Sequence, residues 1–412
     1  MFHNSNPLTV RNFGTYEFIV ISFEDLEFDP RKYGLPDLSP SERATCTYTG
    51  TNTCDRKAFL EALDTRQPIY PPNATPIYSN TGFMLLAYAL ESLTGKSYRD
   101  LLKTYFVDRL EMSRTSYDTP DRSLGAIPKD TNASFWDFNV GDGTPMGGLY
   151  SSVNDLSKFG RAILNSTLLD KNITRAWFKP TAFTSDIQGA IGRPWEIFRV
   201  STLFPDRVLD IYTKSGDIGL YHNFFAIIPD YQIGFAVAIA GPGSHNWIDG
   251  LIVDTLLPAL EDTALQQADA AYAGTFKPIA TSQLNSSLTL TTETGKPGLG
   301  IQTWISNGTD MITYIQTSLA SSRDVRMLPT FLEKKTNAGG GTTEIAWRAV
   351  PDMTFYTSPG PFSACGSWSA VDIASYGRFP LDQFIFELDR NGYAVNVNLR
   401  AFKVVLERQR DS

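Results

Sequence analysis

The stretch Tyr212–Gly241, YTKSGDIGLYHNFFAIIPDYQIGFAVAIAG, decides the fold class because apolar and polar residues alternate along much of it. Alternation with a period of two is typical of strands in a sheet that buries one face. It predicts three successive antiparallel strands, at Val208–Lys214, Leu220–Ile228 and Gln232–Ala240. The segment Ser215–Gly219 is predicted to join the first two strands, and a turn at Pro229 and Asp230 the last two.

Apolar residues at helical spacing lie on both sides of these strands in the sequence. They predict helices at Arg56–Leu63, Thr81–Thr94, Tyr98–Leu110, Ser152–Leu164 and Trp247–Leu260. The second helix is apolar on most faces and is expected to be buried, with Gly95 at its end. The last helix is also expected to be buried, and Ser152 and Asp155 have the spacing of a capping box. Helices before and after a run of strands indicate an α+β domain, with helices on an antiparallel sheet.

After about residue 265 the sequence changes to short, Thr-rich alternating segments that Gly, Asn and Asp separate. These segments are predicted as strands, at Ala273–Phe276, Leu288–Thr292, Leu299–Trp304, Met311–Gln316, Glu344–Arg348, Phe384–Leu388, Tyr393–Val397 and Phe402–Leu406. They indicate an all-β domain that is either a barrel or a sandwich. We therefore expect two domains, residues 1–264 and residues 265–412.

The charge balance excludes two classes of partner. The 412 residues carry 36 basic and 44 acidic side chains, which gives a formal net charge of −8. Nucleic-acid binding and attraction to an anionic membrane both depend on positive surface charge, so neither is expected. No apolar run approaches the roughly 18 residues that a membrane-spanning helix needs.

Cysteine is scarce, with Cys46, Cys54 and Cys365 in the whole sequence. No metal-ligand spacing of Cys or His is present, so we expect no metal site and no cofactor. Cys46 and Cys54 bracket a short polar loop, which fits either a local disulfide in an oxidising compartment or two free thiols. Cys365 has no evident partner in the sequence.

Two signals for secretion disagree. Six Asn-x-Ser/Thr sequons are present, at Asn73, Asn132, Asn165, Asn172, Asn285 and Asn307. The first residues, however, lack both the basic segment and the long apolar run of a signal peptide. The sequons favour a secreted glycoprotein, and the start of the sequence does not.

Motifs of several common enzyme classes are absent from the sequence, including Gly-x-Ser-x-Gly, the P-loop and His-Glu-x-x-His. Two triplets stand out instead. Tyr78-Ser79-Asn80 comes directly before a predicted helix, and Lys214-Ser215-Gly216 lies at the predicted end of a strand. Each also has a purely structural interpretation, the first as a helix cap and the second as a strand end with a tight turn.

The residues around the two triplets resemble a known superfamily. PIYSNTGFMLLAYALESLTGKSY at Pro76–Tyr98, MGGLYSSVNDLSKFGRAIL at Met146–Leu164 and the stretch Tyr212–Gly241 are similar, in this order, to serine β-lactamases and penicillin-binding proteins. The chain most resembles the class C-related branch and its fungal β-lactamase-like members, which carry an extra C-terminal β domain. The resemblance covers about Arg56–Leu260. It implies a β-lactamase/transpeptidase-like α+β domain, followed by an all-β domain.

The resemblance also assigns roles to the two triplets. Tyr78 would be the proton shuttle, although a phenol is a poor base unless nearby cations favour the phenolate. Lys214 would supply that charge and would help to hold the substrate's carboxylate or carbonyl end. Asn80 would orient the substrate amide or a catalytic lysine.

Three further residues would then contact the substrate along the strand. The backbone N–H of Asp217 would donate to the oxyanion of the tetrahedral intermediate. Gly216 would let the substrate approach the strand edge, and Ser215 would offer a hydroxyl beside it. These three complete the substrate-binding residues that the resemblance implies.

The nucleophile motif of the superfamily, Ser-x-x-Lys, is missing, since no serine in the sequence has a lysine three residues later. Three hypotheses explain this. The chain comes from a truncated or misread gene product, it is a naturally shortened pseudo-enzyme, or another residue such as Ser79 or Ser215 has replaced the nucleophile. The first hypothesis also explains the missing signal peptide and the unpaired cysteine.

By resemblance, the expected function is hydrolysis or acyl transfer on an amide, lactam, lactone or ester, through a serine acyl-enzyme. The partner would be a small-molecule substrate, and fungal secondary metabolism is one setting for such an enzyme. The alternative is a catalytically silent binding or scaffold protein that keeps the cleft without the chemistry. The sequence leaves the oligomeric state open.

Overall fold

The structure is a computed structural model that describes residues 30–42, 55–65, 68–138, 140–203, 207–279, 283–319, 324–336, 342–353 and 367–409. The chain divides into two compact units, one of Met1–Ser201 with Val208–Asp254 and the other of Thr202–Arg207 with Thr255–Ser412. All three cysteines lie outside the described residues, and so does the disulfide predicted between Cys46 and Cys54. No helix in the described ranges is long and apolar enough to cross a membrane.

The helices of the first unit are α1 (Arg56–Thr65), α2 (Asn80–Thr94), α3 (Tyr98–Leu102), α4 (Val153–Leu164) and α5 (Lys171–Trp177). Short 3-10 helices lie at Pro30–Tyr33, Arg122–Leu124, Gly141–Met146 and Pro229–Tyr231. α2 ends at Gly95, whose left-handed backbone confirms the predicted stop. α4 begins after Ser152, whose side chain accepts the N–H of Asp155 as the capping pattern predicts.

Three helix predictions are wrong in part, the first of them in its length. The helix that begins at Tyr98 was expected to reach Leu110, but α3 ends at Leu102 and continues as a π-helix over Lys103–Val107. The π segment contains Thr104, Tyr105, Phe106 and Val107, residue types that lose side-chain freedom in an α-helix.

The expectation that α2 is buried holds for its first two turns, where Thr81, Gly82, Met84 and Ala87 are buried, and is wrong for its last two turns. Leu86, Leu90 and Leu93 share one face and are 37%, 44% and 84% exposed. Met84 is fully buried, and Tyr88 is among the apolar residues packed against its cluster. Leu86, Leu90 and Leu93 therefore form an exposed apolar stripe on an otherwise largely covered helix.

The sheet of the first unit contains β1 (Ala182–Phe183), β2 (Gly189–Ile191), β3 (Glu196–Val200), β4 (Leu209–Ile218), β5 (Tyr221–Ile228) and β6 (Ile233–Ala240). These strands are antiparallel neighbours in this order. The three predicted strands correspond to β4, β5 and β6. A buried cluster that includes Tyr212 of β4, Ile227 of β5 and Ile163 of α4 packs helix against sheet.

The predicted end of β4 at Lys214 is wrong. Residues Ser215–Ile218 continue the strand, and Ile218 pairs with Tyr221 across a two-residue loop of Gly219 and Leu220. Gly219 has a φ of +56°, which a glycine adopts without strain in such a tight hairpin loop. The Lys-Ser-Gly triplet therefore lies within a strand.

The helix α6 (Asn246–Tyr272) follows the sheet and is longer than predicted. Its Trp247 is 75% exposed and its Leu251 is 52% exposed, so the prediction of a buried helix is wrong for its first turns. Leu257 is fully buried. The domain boundary proposed at residues 264/265 falls inside this helix.

The second unit contains β7 (Gly274–Lys277), β8 (Ser287–Thr291), β9 (Leu299–Ser306), β10 (Thr309–Asp310), β11 (Val325–Thr336), β12 (Thr342–Pro351), β13 (Ser375–Tyr376), β14 (Phe379–Pro380), β15 (Gln383–Leu388), β16 (Ala394–Leu399) and β17 (Val404–Arg408). Pairing runs in the order β10-β9-β11-β12-β15-β16-β17-β7-β8, and β8 also pairs with β9. This closes eight described strands into a barrel, and β13 pairs with β14 as a separate hairpin.

The barrel interior is a packed core. Trp304, Phe384 and Phe386 are among its buried side chains, and Trp304 meets Phe384 edge to face at 5.0 Å between ring centres. An eight-stranded barrel is just wide enough for its own side chains to fill it. Of the two architectures that the sequence allowed, the described strands form the barrel.

One predicted strand of this unit is a helix. Residues Met311–Leu319 form α7, whereas the alternation of MITYIQ predicted an extended segment. The carboxylate of Asp310 accepts the backbone N–H groups of Ile312 and Thr313, at 3.0 and 3.2 Å, and so caps the helix start. The prediction overlooked this cap, and it also missed β11.

Candidate active site

The first triplet lies at the start of α2. Ser79 is buried, and its Oγ accepts the backbone N–H of Gly82 at 3.1 Å, as a helix cap does. Tyr78 precedes this cap, and its hydroxyl donates to Oδ1 of Asn80 at 2.9 Å. The cap therefore fixes the position of the tyrosine, and the first residue of the helix holds its hydroxyl.

The second triplet meets the first across the fold of the same unit. Lys214 Nζ lies 5.7 Å from the centre of the Tyr78 ring and 3.6 Å from Oε1 of Glu196 on β3. It also donates to the backbone carbonyl of Ser215. The structure thus brings Tyr78, Asn80 and Lys214 together, although the two triplets are far apart in the sequence.

Burial and two nearby carboxylates determine the pKa of Lys214. Desolvation lowers the pKa of the Lys214 ammonium below 10.5, while the carboxylates of Glu196 and Asp217 oppose this shift. A lysine with a lowered pKa exchanges protons more readily near neutral pH. The same ammonium lies 5.7 Å from the centre of the Tyr78 ring.

Side chains of the second triplet lie on two faces of β4. Lys214 and Gly216 share the face of Tyr212, because side chains alternate along a strand. Ser215 and Asp217 therefore point to the other face. There the Asp217 carboxylate meets Nδ1 of His222 at 2.6 Å, and these two residues are cross-strand partners. The side chains of Ser215 and Asp217 therefore lie on the face opposite Lys214, and the Asp217 carboxylate acts on the lysine only through its charge.

The backbone of β4 has an open edge beside Lys214. Pairing with β3 ends at Thr213, so Lys214–Ile218 pair with β5 alone among the described residues. A two-residue hairpin loop makes Ile218–Tyr221 a hydrogen-bonded pair, and the pairs then alternate. By this alternation, the N–H of Asp217 and the C=O of Ser215 point away from β5, towards the open edge.

Gly216 leaves space above the strand. A Cβ added at this position would have no heavy atom of a described residue within 4 Å, and its backbone is outside the positive-φ region. Neither packing nor backbone conformation therefore requires glycine here. The space lies between Lys214 and the end of the hairpin.

Sequence reasoning missed Glu196. It lies opposite Thr213 in the register of β3 and β4, which brings its carboxylate to the lysine of the next residue. A charged residue at the start of the alternating segment Glu196–Val200 was the available signal. The buried pair His245 and Asp249 was also missed. Burial raises the pKa of the Asp249 carboxyl, against the opposing effect of His245.

The described residues contain no group of three or more His, Cys, Asp or Glu side chains that could hold a metal ion.

The six sequon asparagines share one property, which is that all are exposed: Asn73, Asn132, Asn165, Asn172, Asn285 and Asn307.

Comparison with known proteins gives two family matches along the chain. A model described as "Beta-lactamase-like-like, C-terminal domain" matches residues 264–410. A protein named "Beta-lactamase-like protein" from Arthroderma benhamiae is 28% identical over 410 residues, which is 92% of this chain and 68% of that protein. A "Probable hydrolase clz13" from Cochliobolus lunatus is 27% identical over 403 residues, covering 93% of this chain and 63% of that protein.

The chain spans about two thirds of the length of these fungal relatives. Among solved structures, an octameric penicillin-binding protein homologue from Pyrococcus abyssi aligns with a TM-score of 0.38 and 15% identity. That alignment covers 82% of this chain and 66% of the other. The model described as "Beta-lactamase" matches residues 32–250, just over half of the chain, and the protein therefore belongs to the β-lactamase family.

Proposed function

We propose that Tyr78 and Lys214 form the proton-transfer part of an acyl-transfer site that acts on an amide, lactam, lactone or ester. The observation that carries this proposal is the 5.7 Å distance between Lys214 Nζ and the centre of the Tyr78 ring, beside an open strand edge. A cation at this distance favours the phenolate over the phenol, which makes the tyrosine a usable base.

The reaction would follow the course of a serine acyl-enzyme. The Tyr78 phenolate takes the proton of a serine hydroxyl while the serine oxygen forms a bond to the substrate carbonyl carbon. The N–H of Asp217 donates to the oxyanion, and Tyr78 then passes the proton to the leaving group as the carbon–leaving-group bond breaks. Water repeats these steps on the acyl-enzyme, releasing the acid and restoring the serine.

This scheme needs a serine nucleophile, and the 412 residues contain no Ser-x-x-Lys motif. Ser79 is an unsuitable substitute, because its hydroxyl is buried and serves as the cap of α2. Ser215 is unsuitable because its side chain points to the face opposite Lys214. The second candidate function is that the Tyr78–Lys214 site binds a small molecule without turning it over.

A labelling experiment separates the two functions. The purified chain is incubated with a fluorophosphonate probe and with p-nitrophenyl butyrate, alongside Tyr78→Phe, Lys214→Ala and the exposed control Tyr314→Phe. Acyl transfer predicts labelling and ester hydrolysis that both site variants lose and the control keeps. The binding function predicts no labelling of any variant, together with an affinity for benzylpenicillin that Lys214→Ala lowers.

We extend the proposal to a secreted glycoprotein of fungal type, with secondary metabolism as its setting. The exposure of all six sequon asparagines supports glycosylation, since an oligosaccharide needs a solvent-facing amide. The fungal relatives support the fungal setting. Identification of the natural small-molecule substrate in a fungal culture lacking the gene would test the metabolic role.

A further inference from the structure

Asn223 lies on β5 beside the proposed site and takes no part in the proton transfer described above. It is the cross-strand partner of Gly216, and both residues share the sheet face of Lys214. Asn223 is half-buried, and its carboxamide has no hydrogen bond to any other described residue. A carboxamide offers two N–H donors and a carbonyl acceptor, so this one is available to a ligand.

Gly216 controls access from the open edge of β4 to Asn223. A ligand held by the N–H of Asp217 lies at that edge, on the side of β4 opposite β5. To reach Asn223 it must cross β4, and Gly216 is the residue directly in its path. The lack of any side chain there, which neither packing nor backbone conformation demands, leaves the crossing clear.

We propose that Asn223 is a substrate-binding residue that hydrogen-bonds an amide group of a substrate lying across β4 over Gly216. The inference rests on the proposed function, since it takes the edge beside Lys214 as the place of the reacting carbonyl. An amide both donates and accepts, as the carboxamide does, and so makes two complementary bonds with it. Neighbouring strands are about 4.8 Å apart, so an amide that lies over β4 is about 5 Å from the carbonyl at the strand edge. The Asn223 side chain reaches this amide from β5.

Two matched probes test this assignment by isothermal titration calorimetry. N-phenylacetylglycine contains an amide, and phenylacetoxyacetic acid is the same molecule with an ester oxygen in place of the N–H. The wild-type chain is expected to bind the amide about tenfold more tightly, the effect of roughly one hydrogen bond. Asn223→Ala is expected to remove this preference, whereas the exposed control Asn391→Ala keeps it. Lys214→Ala is expected to weaken both probes, because both carry a carboxylate.

The outcomes separate failure of this inference from failure of the proposed function. If Lys214→Ala weakens both probes but Asn223→Ala retains the amide preference, the role of Asn223 is wrong and the proposed site stands. If the wild type binds neither probe, or Lys214→Ala binds them unchanged, the proposed site is wrong and the role of Asn223 with it.

A second variant guards against a misfolded Asn223→Ala protein. Gly216→Ala places a methyl group in open space and is expected to fold normally, with an unchanged melting temperature. It is expected to weaken both probes about tenfold by obstructing the crossing. Binding of both probes at wild-type affinity would show that the ligand does not cross β4 and would overturn the proposal.

Discussion

The ammonium of Lys214 lies 5.7 Å from the centre of the Tyr78 ring, although the two residues come from different elements of the fold. Tyr78 is placed by the Ser79 cap of α2, and Lys214 is the first residue of β4 beyond its pairing with β3. The end of the β3–β4 pairing therefore leaves the edge of β4 open and positions the Lys214 ammonium beside that edge. Glu196, the first residue of β3 and the partner of Thr213, places its carboxylate 3.6 Å from the lysine ammonium.

Glu196→Gln is expected to lower the pKa of Lys214 further. Burial already lowers this pKa, and the Glu196 carboxylate, 3.6 Å from Nζ, is the largest opposing influence. Its loss should lower the pKa further, because burial is then opposed by the Asp217 carboxylate alone among the causes of the shift. The measurement is the pH dependence of the Lys214 side-chain signal in 13C NMR of the reductively methylated chain. Titration of Lys214 at or above 10.5 in the wild type would contradict the structure.

The same shift affects stability in a defined direction. Because the folded-state pKa of Lys214 lies below its unfolded value, protonation favours the unfolded chain. The contribution of this group to stability should rise as the pH increases through the folded-state pKa towards 10.5, and Glu196→Gln should steepen the rise. Urea denaturation of wild type and Lys214→Met across this range provides the comparison, since methionine removes the titration.

Ser79→Ala is expected to destabilise the chain without removing a nucleophile. The Ser79 hydroxyl accepts the Gly82 N–H at the start of α2, and loss of such a cap costs about 1 kcal/mol. Urea denaturation measures the change, and Ser97→Ala at the start of α3 provides a matched exposed cap. Fluorophosphonate labelling that disappears specifically in Ser79→Ala would instead identify Ser79 as the nucleophile.

Gly219→Ala and Gly216→Ala form a second matched pair. A Cβ at Gly219 would lie 2.6 Å from the Ser134 carbonyl oxygen, at a φ of +56°, so alanine should cost about 2 kcal/mol or more. At Gly216 a Cβ meets no atom of the described ranges within 4 Å, and the change in stability should stay within about 0.5 kcal/mol. Thermal melting of both variants measures the difference. Equal destabilisation would show that the space above Gly216 is filled.

The sequence predicted the order of helices, meander and β domain because each depends on local periodicity. It placed the end of β4 too early, since Lys-Ser-Gly-Asp contains residues common in turns, whereas cross-strand pairing decides the matter. α7 was predicted as a strand because its β-branched and aromatic residues alternate, and the cap from Asp310 outweighs that pattern. β11 was missed because Pro329 and the charged Glu333 interrupt it at a register shift.

The candidate site shows the same division between local and long-range information. Tyr78 and Lys214 lie in recognisable triplets, so sequence resemblance alone was enough to select them. Glu196 and Asn223 belong to no motif, and their relevance comes from the register of β3, β4 and β5. The turn fixes the register of a hairpin, and the sequence predicted a connection over Ser215–Gly219 where the structure has a two-residue loop.

Expression in a fungal secretory host is expected to produce glycans at the exposed sequons. Asn285 and Asn307 are neighbours in space, since the Gly308 N–H donates to the Asn285 carbonyl at 2.7 Å. Two bulky oligosaccharides at this pair should exclude one another, so occupancy of either should rise when the other is changed to Gln. Mass spectrometry after enzymatic deglycosylation in 18O-water measures each site. Unmodified asparagine at every sequon of the secreted chain would contradict the proposal.

Phe386→Ala is expected to destabilise the barrel far more than Phe331→Ala. Phe386 is fully buried and meets Tyr272, Phe276 and Trp347 through ring contacts, so its truncation leaves a cavity that costs about 3–5 kcal/mol. Phe331 is 84% exposed, and its truncation should change stability by no more than about 0.5 kcal/mol. Urea denaturation followed by tryptophan fluorescence measures both, because Trp304 and Trp347 report on the barrel core. Similar values for the two variants would mean that Phe386 does not lie inside a packed barrel.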